Sequence, residues 1–217
     1  RQRQMCIRDR YSSDLMDVEI KKAKKFDRIW RVGFGGSITT LPLIFKNLII
    51  FGCGDKNVYA VDKNNGKELW RFTAGDGFFE SSPVLWKVNI VIGNYDGYVY
   101  CIDACNGELK WRFKTGDKIA SGASVDGDRI YIGSRDGNLY CLDANTGKEL
   151  WRFKTGDWIA CMPSVWKDMV IFGNFNGFVY ALNKFNGSEL WRFKTNGEIY
   201  SVTFYISQQF NVFPFHG

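Results

Sequence analysis

The chain has 217 residues, 45% of them apolar, and a formal net charge of +6. That apolar content is ample for a buried core and excludes an intrinsically disordered chain. The charge sits mostly in residues 1–31, with ten Lys or Arg against five Asp or Glu, and the rest is nearly balanced at 19 against 18; a nucleic-acid partner and an acidic substrate are both disfavoured.

Residues 1–26 read as a leader. Within it "RQRQMCIRDRYSSDL" (1–15) fits no pattern found later and resembles translated sequencing-adapter read-through, which makes Met16 a candidate start. No apolar h-region follows its basic residues, so no signal peptide is visible. The cytoplasm is the default compartment, and a truncated N-terminus would leave the periplasm or the cell exterior open. No apolar run approaches the roughly 18 residues of a membrane span.

From residue 27 the chain repeats itself. Trp30, Trp70, Trp111, Trp151 and Trp191 are 40, 41, 40 and 40 residues apart, and other positions keep step with them. Asp55, Asp96, Asp136 and Asn176 precede their tryptophans by 15 residues. Asp62, Asp103, Asp143 and Asn183 do so by eight, and Gly66, Gly107, Gly147 and Gly187 by four. Such self-similarity makes a unit of about 40 residues the architectural element.

Within one unit the segments 119–125, 129–134, 138–143 and 148–154 are rich in β-branched and aromatic residues. They are separated by "DGD", "SRDG" and "ANTG", whose Asp-Gly or Asn-Gly character suits hairpin turns. Four strands per unit are expected, with no helical periodicity after residue 26. Strands such as "GYVYCID" (97–103) are apolar at both alternating sets of positions, so both faces of each sheet must be covered. With no helices to do this, the cover must be another copy of the same sheet. The expected fold is an all-β β-propeller of four-stranded antiparallel blades; a β-solenoid is the weaker alternative.

The expected blades are 34–73, 74–114, 115–154 and 155–194. A strand around "RIWRV" (28–32) precedes them, and a partial blade over 195–206 and an irregular end at 207–217 follow. The pattern loses its period after 206, so the sequence reads as a piece of a larger propeller. The six cysteines follow the repeat: Cys101 and Cys141 stand where other units have Ala60 and Ala181, and Cys161 stands where they have Ser81 and Ser121. This argues for small buried residues. With no CxxC spacing and a single histidine at 216, no metal site is indicated.

The motif Ala60-x-Asp62-x-x-x-Gly66-x-x-x-Trp70 resembles the tryptophan-docking motif of the PQQ-like (pyrroloquinoline quinone) propeller repeats. It recurs with Asp103, Gly107 and Trp111, with Asp143, Gly147 and Trp151, and, with Asn for Asp, with Asn183, Gly187 and Trp191. The resemblance covers roughly 27–206 and implies that each tryptophan packs against an adjacent blade. It leaves function open, because the family includes quinoprotein dehydrogenases, BamB-like outer-membrane assembly factors and plain repeat proteins. The dehydrogenases are implied to carry the quinone with calcium, an Asp base and a pair of adjacent cysteines. This chain has no adjacent cysteines and no spare axial Asp, so no catalytic residue and no cofactor are expected. PQQ with calcium belongs to the dehydrogenase alternative alone.

Function, if local, belongs where the repeats disagree. The loops between second and third strands and those crossing to the next blade should open on one face. The extra residue of the 41-residue interval falls there, in "AGDGFF". The variable residues on that face are Tyr95, Lys118, Arg135, Trp158 and Phe175, with Glu80 near the start of an inner strand. Trp158 for stacking with Glu80 or Arg135 for polar contact suits a planar or sugar-like ligand; the same residues also read as ordinary loop and channel side chains. The expected role is a non-catalytic binding or scaffolding module with an unknown protein or small-molecule partner. A dehydrogenase fragment or an assembly factor are the alternatives.

Overall fold

The computed structural model describes residues 29–200. The leader 1–26, the end 207–217 and the far part of the partial blade 195–206 lie outside the described residues. Four sheets follow one another along the chain. The first holds β1 (Leu43–Phe45), β2 (Leu48–Gly52), β3 (Asn57–Asp62) and β4 (Glu68–Thr73), the second β5 (Val84–Trp86), β6 (Asn89–Gly93), β7 (Tyr98–Asp103) and β8 (Leu109–Lys114). The third holds β9 (Ser124–Asp126), β10 (Arg129–Gly133), β11 (Asn138–Asp143) and β12 (Glu149–Lys154), and the fourth β13 (Ser164–Trp166), β14 (Met169–Gly173), β15 (Phe178–Asn183) and β16 (Glu189–Lys194). Each is an antiparallel meander in chain order. Among the described residues the chain is all-β, and the sheets are propeller blades.

The core lies between consecutive blades. Ile50, Val58 and Trp70 of the first pack with Phe78, Ile90, Ile92 and Tyr100 of the second. On the other side of β6, Val91 joins Val99 and Cys101 against Ile130, Ile132 and Leu142 of the third. Tyr131, Leu139 and Cys141 then meet Val170, Phe172 and Leu182 of the fourth. Alternate residues of one strand thus serve two neighbours, which is why these strands are apolar throughout. Each buried side chain of this size stabilises by roughly 1.5–3 kcal/mol.

The tryptophans work as the resemblance implies at three blade junctions. Trp70 donates its Nε1–H to the Ala104 carbonyl (3.2 Å), Trp111 to that of Ala144 (2.8 Å) and Trp151 to that of Lys184 (3.3 Å). Their rings lie against Gly107, Gly147 and Gly187, where a Cβ would come within 2.6 Å of the ring. A bulge sits beside the indole in every blade: Cys141 faces Trp151 but Leu142 faces Glu149, leaving Leu150 unpaired and turned outward. Trp191 has the same place on β16 but is 43% exposed, and no described blade lies against it.

Two strand expectations need correction. Residues 29–32, the described part of the expected 28–32 strand, form no strand, because no described strand lies alongside to complete a ladder; Trp30 nevertheless donates to the Lys63 carbonyl (2.9 Å) and lies on Gly66. The innermost strand of each blade is three residues rather than the seven expected over 119–125. Before it, a side chain replaces the backbone as pairing partner. Ser121 Oγ donates to the Gly133 carbonyl (3.0 Å) and accepts its N–H (3.2 Å), and Thr40 does the same at Gly52. Cys161 Sγ takes both roles at Gly173 (3.1 Å each), so that position demands a short hydrogen-bonding side chain as well as a small one.

The turn carboxylates are pinned. Asp103 accepts the Cys105 N–H (2.9 Å) and pairs with Lys110 (3.3 Å), and Asp143 accepts the Thr146 N–H and hydroxyl (2.8 Å each). These contacts hold both carboxyls below the usual value near 3.8. Depressed values mean stability that is present above the unfolded value and lost as pH falls through and below it. The melting temperature should therefore drop once pH goes below about 4, and Asp143→Asn should shrink that drop while keeping the turn. Asn183 already builds the same turn in the fourth blade, accepting the Phe185 N–H (2.9 Å). Circular dichroism melts against pH check this; an unchanged acid limb in the variant would refute it.

Candidate functional site

Two sets of loops meet at one end of the blades, laced by backbone hydrogen bonds. The Arg135 N–H donates to the Lys118 carbonyl (2.9 Å), that of Phe175 to Trp158 (2.9 Å) and that of Tyr95 to Gly77 (3.4 Å). Each residue after a second strand is thereby set beside the loop crossing in from the preceding blade. Variable side chains from successive blades consequently touch.

They form one continuous ladder. The Arg135 guanidinium lies between two rings, 5.1 Å from the Tyr95 centroid and 4.9 Å from that of Trp158. Trp158 meets Phe175 at 5.4 Å and Phe175 meets Tyr200 at 4.7 Å. Lys118 Nζ lies 5.2 Å over Tyr95. Arg135 Nη2 donates to the Tyr95 hydroxyl (3.1 Å), which donates to Glu80 Oε2 (3.3 Å); the direct Arg135–Glu80 separation is 3.9 Å. Burial, then the Glu80 charge, pushes the Tyr95 phenol up, so it stays a neutral donor. The Arg135 Nε–H is buried and has no acceptor among the described residues. All six candidates, Glu80, Tyr95, Lys118, Arg135, Trp158 and Phe175, come together here.

The inserted residue of the long repeat is Phe79. Its ring lies where a Cβ on Gly54 or Gly77 would stand, 2.8 and 2.3 Å from the nearest ring atom, and it extends the ladder to Tyr95 at 5.0 Å. To place it the chain makes a γ-turn, with the Ser81 N–H donating to the Phe79 carbonyl (2.7 Å) and Glu80 at φ +61°. A non-glycine residue there costs on the order of 1–3 kcal/mol, the sort of strain that gathers at binding sites.

Beside the ladder lies a groove of about 510 Å³. Ala120, Gly122 and Ala160 line it with Phe175 and Tyr200, and Glu80, Ser82 and Arg135 supply its polar groups. Leu41 and Met162, 75% and 53% exposed, stand at its rim. Sequence reasoning missed Phe79, Tyr200 and Met162. The 41-residue interval marked the first, and the period marked the second, since Tyr200 stands where other repeats have Glu80, Ala120 and Ala160. The groove does not fit a quinone–calcium pair. Ca²⁺ takes six to eight oxygen ligands, whereas among the described residues that line the groove Glu80 has the one carboxylate, which is engaged with Arg135 and Tyr95. Among the described residues no three His, Cys, Asp or Glu side chains are grouped to hold a metal.

Sequential four-stranded meanders with cores between them, and at each of the three described junctions an indole from the outer strand seated on the next blade's turn, define a β-propeller repeat protein. A family model described as "Outer membrane protein assembly factor BamB" matches residues 95–210, more than half of the chain. The chain belongs to the PQQ-like repeat family. No curated protein sequence matches it. Among solved structures, BamB from Moraxella catarrhalis is similar at 18% identity and a TM-score of 0.57, over 76% of this chain and 64% of that one. The computationally designed Ika8 protein is similar at 19% identity and a TM-score of 0.67, over 75% of this chain and 51% of Ika8. A quinohemoprotein alcohol dehydrogenase from Pseudomonas putida HK5 gives 18% identity and a TM-score of 0.66, over 77% of this chain and 36% of the enzyme. The chain thus spans less than two thirds of each of these proteins, and at these identities the likeness concerns the fold. No helix among the described residues is long and apolar enough to cross a membrane.

Proposed function

We propose that this chain is a non-catalytic binding module that receives its partner at the loop face of the propeller. The observation that carries the reading is the ladder Phe79–Tyr95–Arg135–Trp158–Phe175–Tyr200, which three crossing loops and three loops between second and third strands build from positions that vary between repeats. The docking tryptophan is the same in every blade because each blade asks one structural task of it; the ladder residues differ between repeats and gather at the loop face. A groove of about 510 Å³ is within the range of roughly 300–1,000 Å³ typical of ligand sites. Among the described residues the groove offers one carboxylate, engaged with Arg135 and Tyr95, and no histidine or thiol, which supports binding over turnover.

Protein labelled with 5-fluorotryptophan tests the reading by ¹⁹F NMR, with the Trp158 signal assigned from Trp158→Phe. The panel contains neutral, acidic and basic sugars, acidic and basic peptides, and PQQ with Ca²⁺. The expected result is that one binding class shifts the Trp158 signal and is recovered unchanged, while the quinone absorption band does not move. A Ca²⁺-dependent shift of that band, or ligand responses confined to other tryptophans, would overturn the proposal.

A further inference from the structure

We infer that the groove takes a neutral saccharide, a pyranose ring stacked on Phe175 and Tyr200 with its hydroxyls on Glu80 and Arg135. The inference rests on the binding-module reading and names the ligand class for the same groove. Its basis is the pairing of charges at the site. A guanidinium and a carboxylate only 3.9 Å apart line the same groove, and the Tyr95 hydroxyl links them. An anionic ligand drawn to Arg135 must also meet Glu80, and a cationic one drawn to Glu80 must meet Arg135, so a like-charge approach offsets the matching contact of either charged ligand. A neutral polyol pays neither cost. Adjacent hydroxyls donate and accept, so they can use the carboxylate oxygens of Glu80 as acceptors and the guanidinium N–H groups of Arg135 that line the groove as donors.

The apolar walls fit the same occupant. Tyr200 is 64% exposed beside Phe175, so the groove keeps an open aromatic surface for the C–H face of a ring. Ala120 and Ala160 stand where Glu80 and Tyr200 stand in neighbouring repeats, and this small pair leaves the room. Met162 Sδ lies 3.2 Å from where a Cβ on Gly122 would be, a flexible side chain laid across that glycine.

Saturation-transfer difference NMR on the full chain tests this. The probes are the methyl glycosides of glucose, galactose, mannose and N-acetylglucosamine, with glucuronate and glucosamine as charged counterparts. At least one neutral glycoside should bind, about tenfold or more tighter than either charged sugar, and Tyr200→Ala should weaken it. Glu80→Gln should weaken the neutral glycoside by roughly tenfold, the loss of one hydrogen bond to a charged group. It should also strengthen glucuronate, because Arg135 then lacks its opposing charge. A merely structural Glu80 would weaken all ligands alike. Glucuronate or glucosamine binding as well as the neutral sugars, or no saccharide binding at all, would overturn the inference. If a peptide still shifts the Trp158 fluorine signal in that event, the binding-module reading survives and the saccharide class alone fails.

Discussion

Trp70→Ala lowers stability by about 3–5 kcal/mol, the range for a large aromatic removed from a packed site, whereas Trp191→Ala costs under about 1 kcal/mol. The two tryptophans occupy one repeat position, so propensity and strand context are held constant. What differs is the neighbour. Trp70 is 8% exposed, stacked on Gly107 and bonded to the Ala104 carbonyl; Trp191 is 43% exposed with no described blade against it. In a repeat protein stability is approximately a sum of unit terms and nearest-neighbour interface terms, so Trp70→Ala acts on the junction of the first two blades. Trp70→Phe, which keeps a ring but loses the Nε1–H bond, should fall between. Chemical denaturation of the three variants checks the order; equal losses at Trp70 and Trp191 would mean that docking is not the source of the stability.

Gly133→Ala is the second large effect, a loss of about 1–3 kcal/mol or more from overpacking. The last residue of each second strand is glycine because the next blade's crossing loop lies on it. A Cβ on Gly133 would stand 2.2 Å from Ile159 Cγ2 and 2.8 Å from the Ile159 carbonyl oxygen. The methyl group can shift, but the carbonyl is backbone, held as the Ile159 N–H bonds Ser134 (3.1 Å). Gly93 and Gly173 lie as close to the side chains of Ile119 and Ile199, and Gly52 to that of Phe78, so the close approach recurs at the end of all four second strands. Gly127→Asn is the control: its φ is +59° with nothing within 4 Å, and asparagine tolerates that conformation at a cost within about 0.5 kcal/mol. The double variant Gly133→Ala with Ile159→Ala should lose at least 0.5 kcal/mol less than the sum of the singles. Strict additivity would show that the two residues do not press on each other.

The two variant sets probe features of unequal legibility. The docking position could be read from the chain because it repeats: four tryptophans and four glycines in register announce one contact made again and again. The candidate residues were visible only as disagreements between repeats. Their identity as loop residues followed from the period, but nothing in the sequence placed Arg135 between Tyr95 and Trp158, which are 40 and 23 residues away along the chain. Similarly, Cys161 looked like a small core residue until its sulfur was found bonding both polar groups of Gly173. The innermost strands came out shorter than their apolar length because that side-chain pairing interrupts the ladder.

The sequence by itself determined the all-β class, the four-stranded unit and the covering of each sheet by its neighbours, since period-2 apolarity on both faces leaves a strand no other way to be buried. Tertiary structure alone decided which loop side chains share a groove, how the inserted Phe79 forces Glu80 into a strained turn, and that Glu80 and Arg135 oppose each other across Tyr95. Local pattern dictates what must be hidden from water. Contacts between residues dozens of positions apart depend on how blades fan and stack, a geometry that only the assembled sheets define.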